Sequence, residues 1–412
     1  MLRRDPMSCL LFIIVFLSLL SAGAPNSVAA EVTQYFPAVP PGTPPPRPET
    51  GWRIKYEILP SRTHNYGGSA VWEIQSVEFM RGYKLTGEQD WIKILNNLVL
   101  AEVYVPYYDG TEIWDIGGHV FDFVQASPEQ VASQGIINGR LLEDSIVIAE
   151  VVDNNLRWMD GLNRVRRGQV LELWATLDAG NYRYLIKYGF ADDGTIHVRF
   201  GGTSSNLVSA PVGDHDGMHS HTPTWRLEFD LGSASANKIE VVEREHDLIS
   251  ARAHLMHRSF GNGFEGGELW QADKFTSLMV RNTQMQNRHT PAHDISYKLV
   301  SMRSGTLRTF REYTRYDFWA VRASPSSPDR SGGRERRFVE IADYVRNREP
   351  IEGHAVALWH TTALHHIPRT EDFGPEGYKA WEGVALTMWT GFDLMPHNLW
   401  DRTPLFVPQS LP

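Results

Sequence analysis

Seven short runs in this chain follow a period of two: residues 52–59, 97–107, 170–177, 182–190, 195–200, 225–231 and 238–243. An extended backbone sends alternate side chains to opposite faces, so each run is predicted to be a strand with one face in a core. Turn formers stand between the runs, among them Asp193-Gly194, Gly201-Gly202 and Asp216-Gly217. The first of these joins 182–190 to 195–200 in a predicted hairpin. Helical periodicity is confined to 128–133 and 338–348. The fold class that follows is all-β, a large antiparallel β-sandwich with few short helices. At 412 residues, 42% of them hydrophobic, the chain can bury one large core or two modest ones. Residues 324–337, rich in Ser, Pro, Gly and Arg, are expected to form an exposed loop.

The beginning of the chain reads differently. Arg3 and Arg4 precede an apolar run over 10–20, followed by small residues through Ala22, Ala24, Ala29 and Ala30. The pattern is that of a signal peptide over 1–30, and the run is well short of the roughly 20 residues that span a bilayer. The expected location is secreted or periplasmic, with no membrane span after cleavage near Ala30-Glu31. Prolines dominate 37–48, so 31–50 is expected to be an extended linker and 51–412 the folded domain. The single cysteine, Cys9, lies in the signal region. Metal binding in the remainder therefore relies on His, Asp and Glu. The formal net charge is -9 and no basic stripe is present, which excludes nucleic acid as a natural partner.

His219 and His221 are two residues apart just before a strand-like run, so both imidazoles can reach one ion from the same face. His366 is the best candidate for a third nitrogen, because strand-like residues 355–361 and Pro368 frame it. A rival pair, His289 and His293, has helical spacing, but Pro291 between them argues against a helix. His215, between Asp214 and Asp216, reads as a solvated loop residue. Three neutral imidazoles suit Cu(II), and ligand type alone leaves Zn(II) open.

The end of the chain carries Trp359-His360-Thr361, then Leu364-His365-His366-Ile367-Pro368-Arg369, Glu371-Asp372-Phe373 and Asp401-Arg402-Thr403-Pro404. Upstream stand Ala101 to Tyr107, Trp114-Asp115-Ile116-Gly117, Asn181-Tyr182-Arg183-Tyr184 and Asp193-Gly194-Thr195-Ile196. In this order the segments resemble the copper-containing amine oxidases, quinoproteins that build topaquinone from one of their own tyrosines. The resemblance covers roughly residues 70 to 408, and an ordered set of motifs is harder to meet by chance than any one of them. It implies copper on His219, His221 and His366, and Tyr182, beside Asn181, as the topaquinone precursor. It also implies Asp115 as the base and Tyr107 as a hydrogen-bond partner of the quinone oxygen. The implied activity is oxidation of a small primary amine by dioxygen to aldehyde, ammonia and hydrogen peroxide, by a supersandwich-like homodimer.

The chain departs from the family pattern in several places. Arg183 stands where the family has an acidic residue, and two extra residues lie between Thr176 and Asn181. With one cysteine the chain offers no disulfide near the base, and the small domains that precede the catalytic domain in most members are not expected here. Glu228 and Asp230 match two positions of a peripheral calcium site but Ala355 occupies the third, so these two carboxylates are expected to face solvent. The base would need a raised pKa, for which Trp114, Ile116 and Tyr107 are the expected apolar setting. Two other readings stay open: a degenerate, inactive member acting as a secreted metal-binding or structural protein, and a hydrolase in which Asp115 activates zinc-bound water.

Overall fold

The computed structural model describes residues 27–38, 49–61, 68–84, 86–133, 139–142, 144–159, 161, 165–180, 182–205, 218–246, 252–287, 292–302, 308–323, 338–367, 369, 372 and 384–400. Residues 1–26 of the expected signal region 1–30, the loop 324–337, Asn181, His215, His289, Pro368, Glu371, Phe373 and the segment from Asp401 lie outside them.

Two antiparallel sheets carry the fold. The first runs Val28–Phe36, Thr50–Leu59, Val71–Tyr83, Gln89–Pro106, His219–Phe229, Val356–Thr361, Phe318–Arg322, Gly266–Glu268; Leu364–His366 pairs on His219–Phe229 and Glu112–Trp114 on Gln89–Pro106. The second runs Ala253–Ser259, Asn237–His246, Ser277–Gln286, Asp294–Met302, Val384–His397, Ile196–Ser205, Tyr182–Ala191, Val165–Ala179, Ile148–Met159, Arg140–Leu141. The two predicted helical stretches appear as the helix Pro128–Ser133 and as a 3-10 turn, Phe338–Glu340, leading into the helix Ile341–Tyr344.

Alternation builds the core between the sheets. On Tyr182–Ala191 the inward residues are Tyr182, Tyr184, Ile186, Tyr188 and Phe190, all buried. They meet aromatics of the facing sheet: Trp72 lies 4.8 Å from Tyr188, Trp52 5.4 Å from Phe190 and Tyr188 5.8 Å from Trp225, ring centre to ring centre. Tilted and edge-on packing of this kind suits rings with negative faces and positive edges. The predicted hairpin forms at Asp193-Gly194, where Asp193 Oδ1 accepts from Thr195 N at 2.9 Å and Gly194 takes a left-handed φ of 92°.

The first sheet has a second, outer core. Tyr104, Tyr313, Trp319, Phe338, Ile341 and Trp359 pack on its far side. This layer corrects the expectation for Glu228, which is not solvent-facing: it is buried and holds the fully buried Arg226. Asp230 is half-buried and pairs with Lys93 at 3.2 Å. A second correction concerns the expected linker over 31–50. Val28–Phe36 is an edge strand paired with Thr50–Leu59, so the sheet begins before residue 51 and the strand crosses the expected cleavage point. Val32 and Phe36 supply buried contacts, and the strand ends where Pro37 removes an N–H from the ladder.

Candidate metal and quinone centre

The strand His219–Phe229 delivers His219 and His221 to its inner face, as a period of two requires. Register supplies the rest of the first sheet's share. His219 stands opposite His366 on one side and forms a bridge with Tyr107 on the other, their rings stacked at 4.5 Å. From the facing sheet come Tyr182 and Tyr184, at the start of Tyr182–Ala191, directly after the turn in which Gly180 takes a φ of 73°. The residues before that turn prolong the strand Val165–Ala179, and Tyr182 pairs with Ala179.

His219, His221 and His366 are all buried, and one nitrogen from each lies within 4.8 Å of the other two. Nε2 of His219 and Nε2 of His221 are 3.1 Å apart. Nitrogens bound to one ion at about 2.0–2.1 Å each are separated by roughly this distance. The Tyr182 hydroxyl enters the same point, 2.8 Å from His219 Nε2 and 2.5 Å from His366 Nδ1. Burial, and next the charges of the other two imidazoles, push His221 well below its ordinary pKa; burial also lowers His366. Both stay in the neutral form that binds metal. Burial raises the Tyr182 phenol.

His366 is aimed by a carboxylate. Its Nε2 lies 3.2 Å from Asp372 Oδ2, and Asp372 is held by Arg369 through Nη2 at 2.7 Å and the backbone N at 2.9 Å. This leaves Nδ1 to face the cluster, the arrangement by which a hydrogen-bonded imidazole has its metal-binding nitrogen fixed.

Asp115 is buried beside the cluster. The Tyr184 hydroxyl donates to its Oδ2 at 2.5 Å and lies 3.0 Å from His221 Nδ1, so one phenol links the acid to a histidine of the metal cluster. Burial pushes Asp115 up to about 6, against the lowering effects of the Tyr184 bond and of His119. The turn that carries it is tied down by Glu102, whose carboxylate accepts from Ile116 N at 2.9 Å and Gly117 N at 3.2 Å. Burial raises Glu102 to about 7. The expected apolar setting is corrected for one residue: Trp114 points to the outer core, where its Nε1 donates to Tyr313. The strand Glu112–Trp114 ends there, and Asp115, in the turn that follows, meets Tyr184 of the facing sheet instead.

Arg183 is likewise turned away. It lies between Tyr182 and Tyr184 on the opposite face of its strand and pairs with Asp178 across the sheet. The cation therefore does not enter the cluster. The structure thus brings Tyr107, Asp115, Tyr182, His219, His221 and His366 into one region, with Asn181 outside the described residues. Tyr184 and Asp372 were not assigned roles from sequence. Tyr184 had a readable signal, since it is two residues from Tyr182 and must share its face; Asp372 had only its nearness to His366.

The sequence profile of the copper amine oxidase enzyme domain matches residues 153–410. The chain belongs to the copper amine oxidase family. An Arabidopsis thaliana protein, copper-containing amine oxidase alpha 2, peroxisomal, is 22% identical over 378 residues, which cover 74% of this chain and 53% of that one. A histamine oxidase of Arthrobacter globiformis is 25% identical over 328 residues, 70% of this chain and 45% of that one. The copper-containing benzylamine oxidase of Hansenula polymorpha shares the fold, with a TM-score of 0.60 at 15% identity over 87% of this chain and 61% of the other. The chain spans about half the length of the curated relatives it matches. Copper and topaquinone are the family's cofactors. The donor set here fits both: three convergent imidazoles for the ion, and a phenol oxygen already at their meeting point.

Proposed function

We propose that this chain oxidises a primary amine with dioxygen, releasing aldehyde, ammonia and hydrogen peroxide. The observation that carries this reading is the Tyr182 hydroxyl, placed 2.8 Å from His219 and 2.5 Å from His366 with Asp115 one phenol away. His219, His221 and His366 would hold copper, and Tyr182 would become topaquinone. Together these groups supply an electrophilic carbonyl and a two-electron sink, which ordinary side chains lack.

The chain's own residues do the rest. Asp115 takes the proton from the carbon beside the amine nitrogen, and its raised pKa of about 6 makes it a stronger base than an ordinary carboxylate. Tyr184 holds one oxygen of that carboxylate, which leaves Oδ1 for the incoming proton. Tyr107, stacked on His219, walls the cluster on the side opposite His366. Asp372 keeps the His366 ring from turning. A net charge of -9 suits a cationic amine through long-range attraction.

The zinc-hydrolase reading has a specific observation against it. A hydrolytic metal site keeps a position open for water, and here the Tyr182 oxygen lies where the imidazoles meet. Export and dimerisation belong to the same proposal, the first supported by the charged and apolar pattern of the first 30 residues and the second by family likeness. Fractionation with N-terminal sequencing, and mass measurement in solution, test them. For the reaction itself, the copper-loaded protein kept in air should develop a visible quinone absorption, react with phenylhydrazine and form peroxide with a primary amine. Metal uptake without colour would instead support an inactive binding protein.

A further inference from the structure

We propose that His119 carries the proton of Asp115 to and from solvent. The proposal rests on reading Asp115 as the base. That residue has a problem its other neighbours do not solve, for a base that takes a proton in every turnover must also lose one, and its side chain is only 9% exposed. The groups facing it are Tyr184 from the opposite sheet, Glu102 from Gln89–Pro106, Tyr107 just beyond that strand, Tyr182, and His119 on its own turn. Glu102, Tyr182 and Tyr184 are buried. Tyr107 is a phenol pushed up to about 12. His119 is the one imidazole among them, and its side chain is 45% exposed.

Its position is one small side-chain movement from a hydrogen bond to the carboxylate. Nδ1 lies 3.6 Å from Asp115 Oδ1, the oxygen that Tyr184 does not occupy, and 3.3 Å from the Trp114 carbonyl oxygen. The ring lies parallel to Phe121 at 5.1 Å with 10° between planes, which fixes its orientation. Ser69 Oγ donates to the Asp115 carbonyl at 2.6 Å and lies 3.0 Å from that of His119, so one side chain contacts both residues. An imidazole can accept a proton at one nitrogen and release another from the second.

The balanced step is a proton relay with no electron transfer. The O–H bond of protonated Asp115 breaks as an N–H bond forms at Nδ1 of the neutral ring. The imidazolium then releases its Nε2 proton to water or buffer, leaving the tautomer with hydrogen on Nδ1, which donates to the Trp114 carbonyl. The ring returns to its accepting form when water gives a proton to Nε2 and takes the one on Nδ1, so that each cycle moves one proton from Asp115 to solvent.

The test uses the copper-loaded chain and its His119→Ala and His119→Gln variants. Phenylhydrazine first counts quinone-bearing centres, so that their absence counts against the oxidase reading and not against the relay. The Asp115 carboxyl is then titrated by its infrared band, assigned by difference from Asp115→Asn, with and without copper. Loss of His119 should move the midpoint upward, because the imidazolium holds that carboxyl down. Turnover should fall roughly 10- to 100-fold in kcat with KM little changed, and added imidazole should restore most of it in the alanine variant. An unmoved midpoint, an unchanged kcat, a loss that imidazole does not relieve, or full activity in His119→Gln would each overturn the relay. In a chain that forms no quinone, the infrared midpoint decides alone.

Discussion

The two faces of the strand His219–Phe229 are both buried and both polar in part, yet they do opposite things. On the outer face, polar groups close on one another. Arg226 bonds Asn97 at 2.8 Å and Glu228, Asn97 bonds Glu73, and Thr224 meets Thr361 at 2.9 Å. On the inner face, three imidazole nitrogens and a phenol oxygen converge on a single point. A closed network is the usual condition of buried polar groups. Like groups gathered with their lone pairs toward one place need something else there, and a cation is what neutral imidazoles accept. The difference separates polar burial that serves the fold from polar burial that serves chemistry.

Four substitutions test that separation. The largest effect is expected from Tyr182→Phe, which takes the oxygen from the inner convergence: quinone colour and peroxide formation should disappear while copper binding and thermal stability persist. A variant that still colours in air would place the cofactor elsewhere. Next, Asp115→Asn should lower kcat by about 10²- to 10⁴-fold. In the unsubstituted protein the base must be ionised, so the rate should fall as pH drops through about 6 and be maintained above it. A pH–rate profile of Asp115→Asn that keeps this inflection would exclude Asp115 as its source.

On the outer face, Glu228→Ala removes the carboxylate that neutralises the buried Arg226 and should cost about 3–5 kcal/mol of unfolding free energy, read by denaturant titration. At temperatures where the variant remains folded, copper content should not change. A loss of copper there would mean the two faces are not independent. The smallest effect is expected for Asp372→Asn, which weakens the aim of His366 without removing a ligand: copper affinity should fall roughly 10- to 100-fold in a competition titration.

Much of the inner face was legible because alternation and order are local signals. Tyr182 and Tyr184, like His219 and His221, lie two apart on strands, and the sequence around His366 resembles a family motif. What escaped depended on partners far along the chain. Glu228 reads as exposed under a rule that gives a sheet one wet face, and only the packing of Tyr313, Phe338 and Ile341 on the other side buries it. Val28–Phe36 was hidden because a proline-rich stretch suggests a linker, while its pairing with Thr50–Leu59 is a tertiary fact. The turning away of Arg183 was in principle readable, since its parity differs from that of its neighbours. Trp114 required knowledge of the outer core before its direction could be told.

The centre also has a consequence for the order in which its parts come together. Tyr182 and His366 are 184 positions apart and belong to different sheets, so neither holds the other until the sandwich has closed. The three histidines, by contrast, stand on paired strands of the first sheet, so an ion could be held there before the other sheet docks. Binding would then stabilise that strand pairing, because the free energy of binding is part of the free energy of folding. Oxidation of Tyr182 would follow the docking of the two sheets, and the appearance of quinone colour would report their closure, whereas metal uptake alone would not.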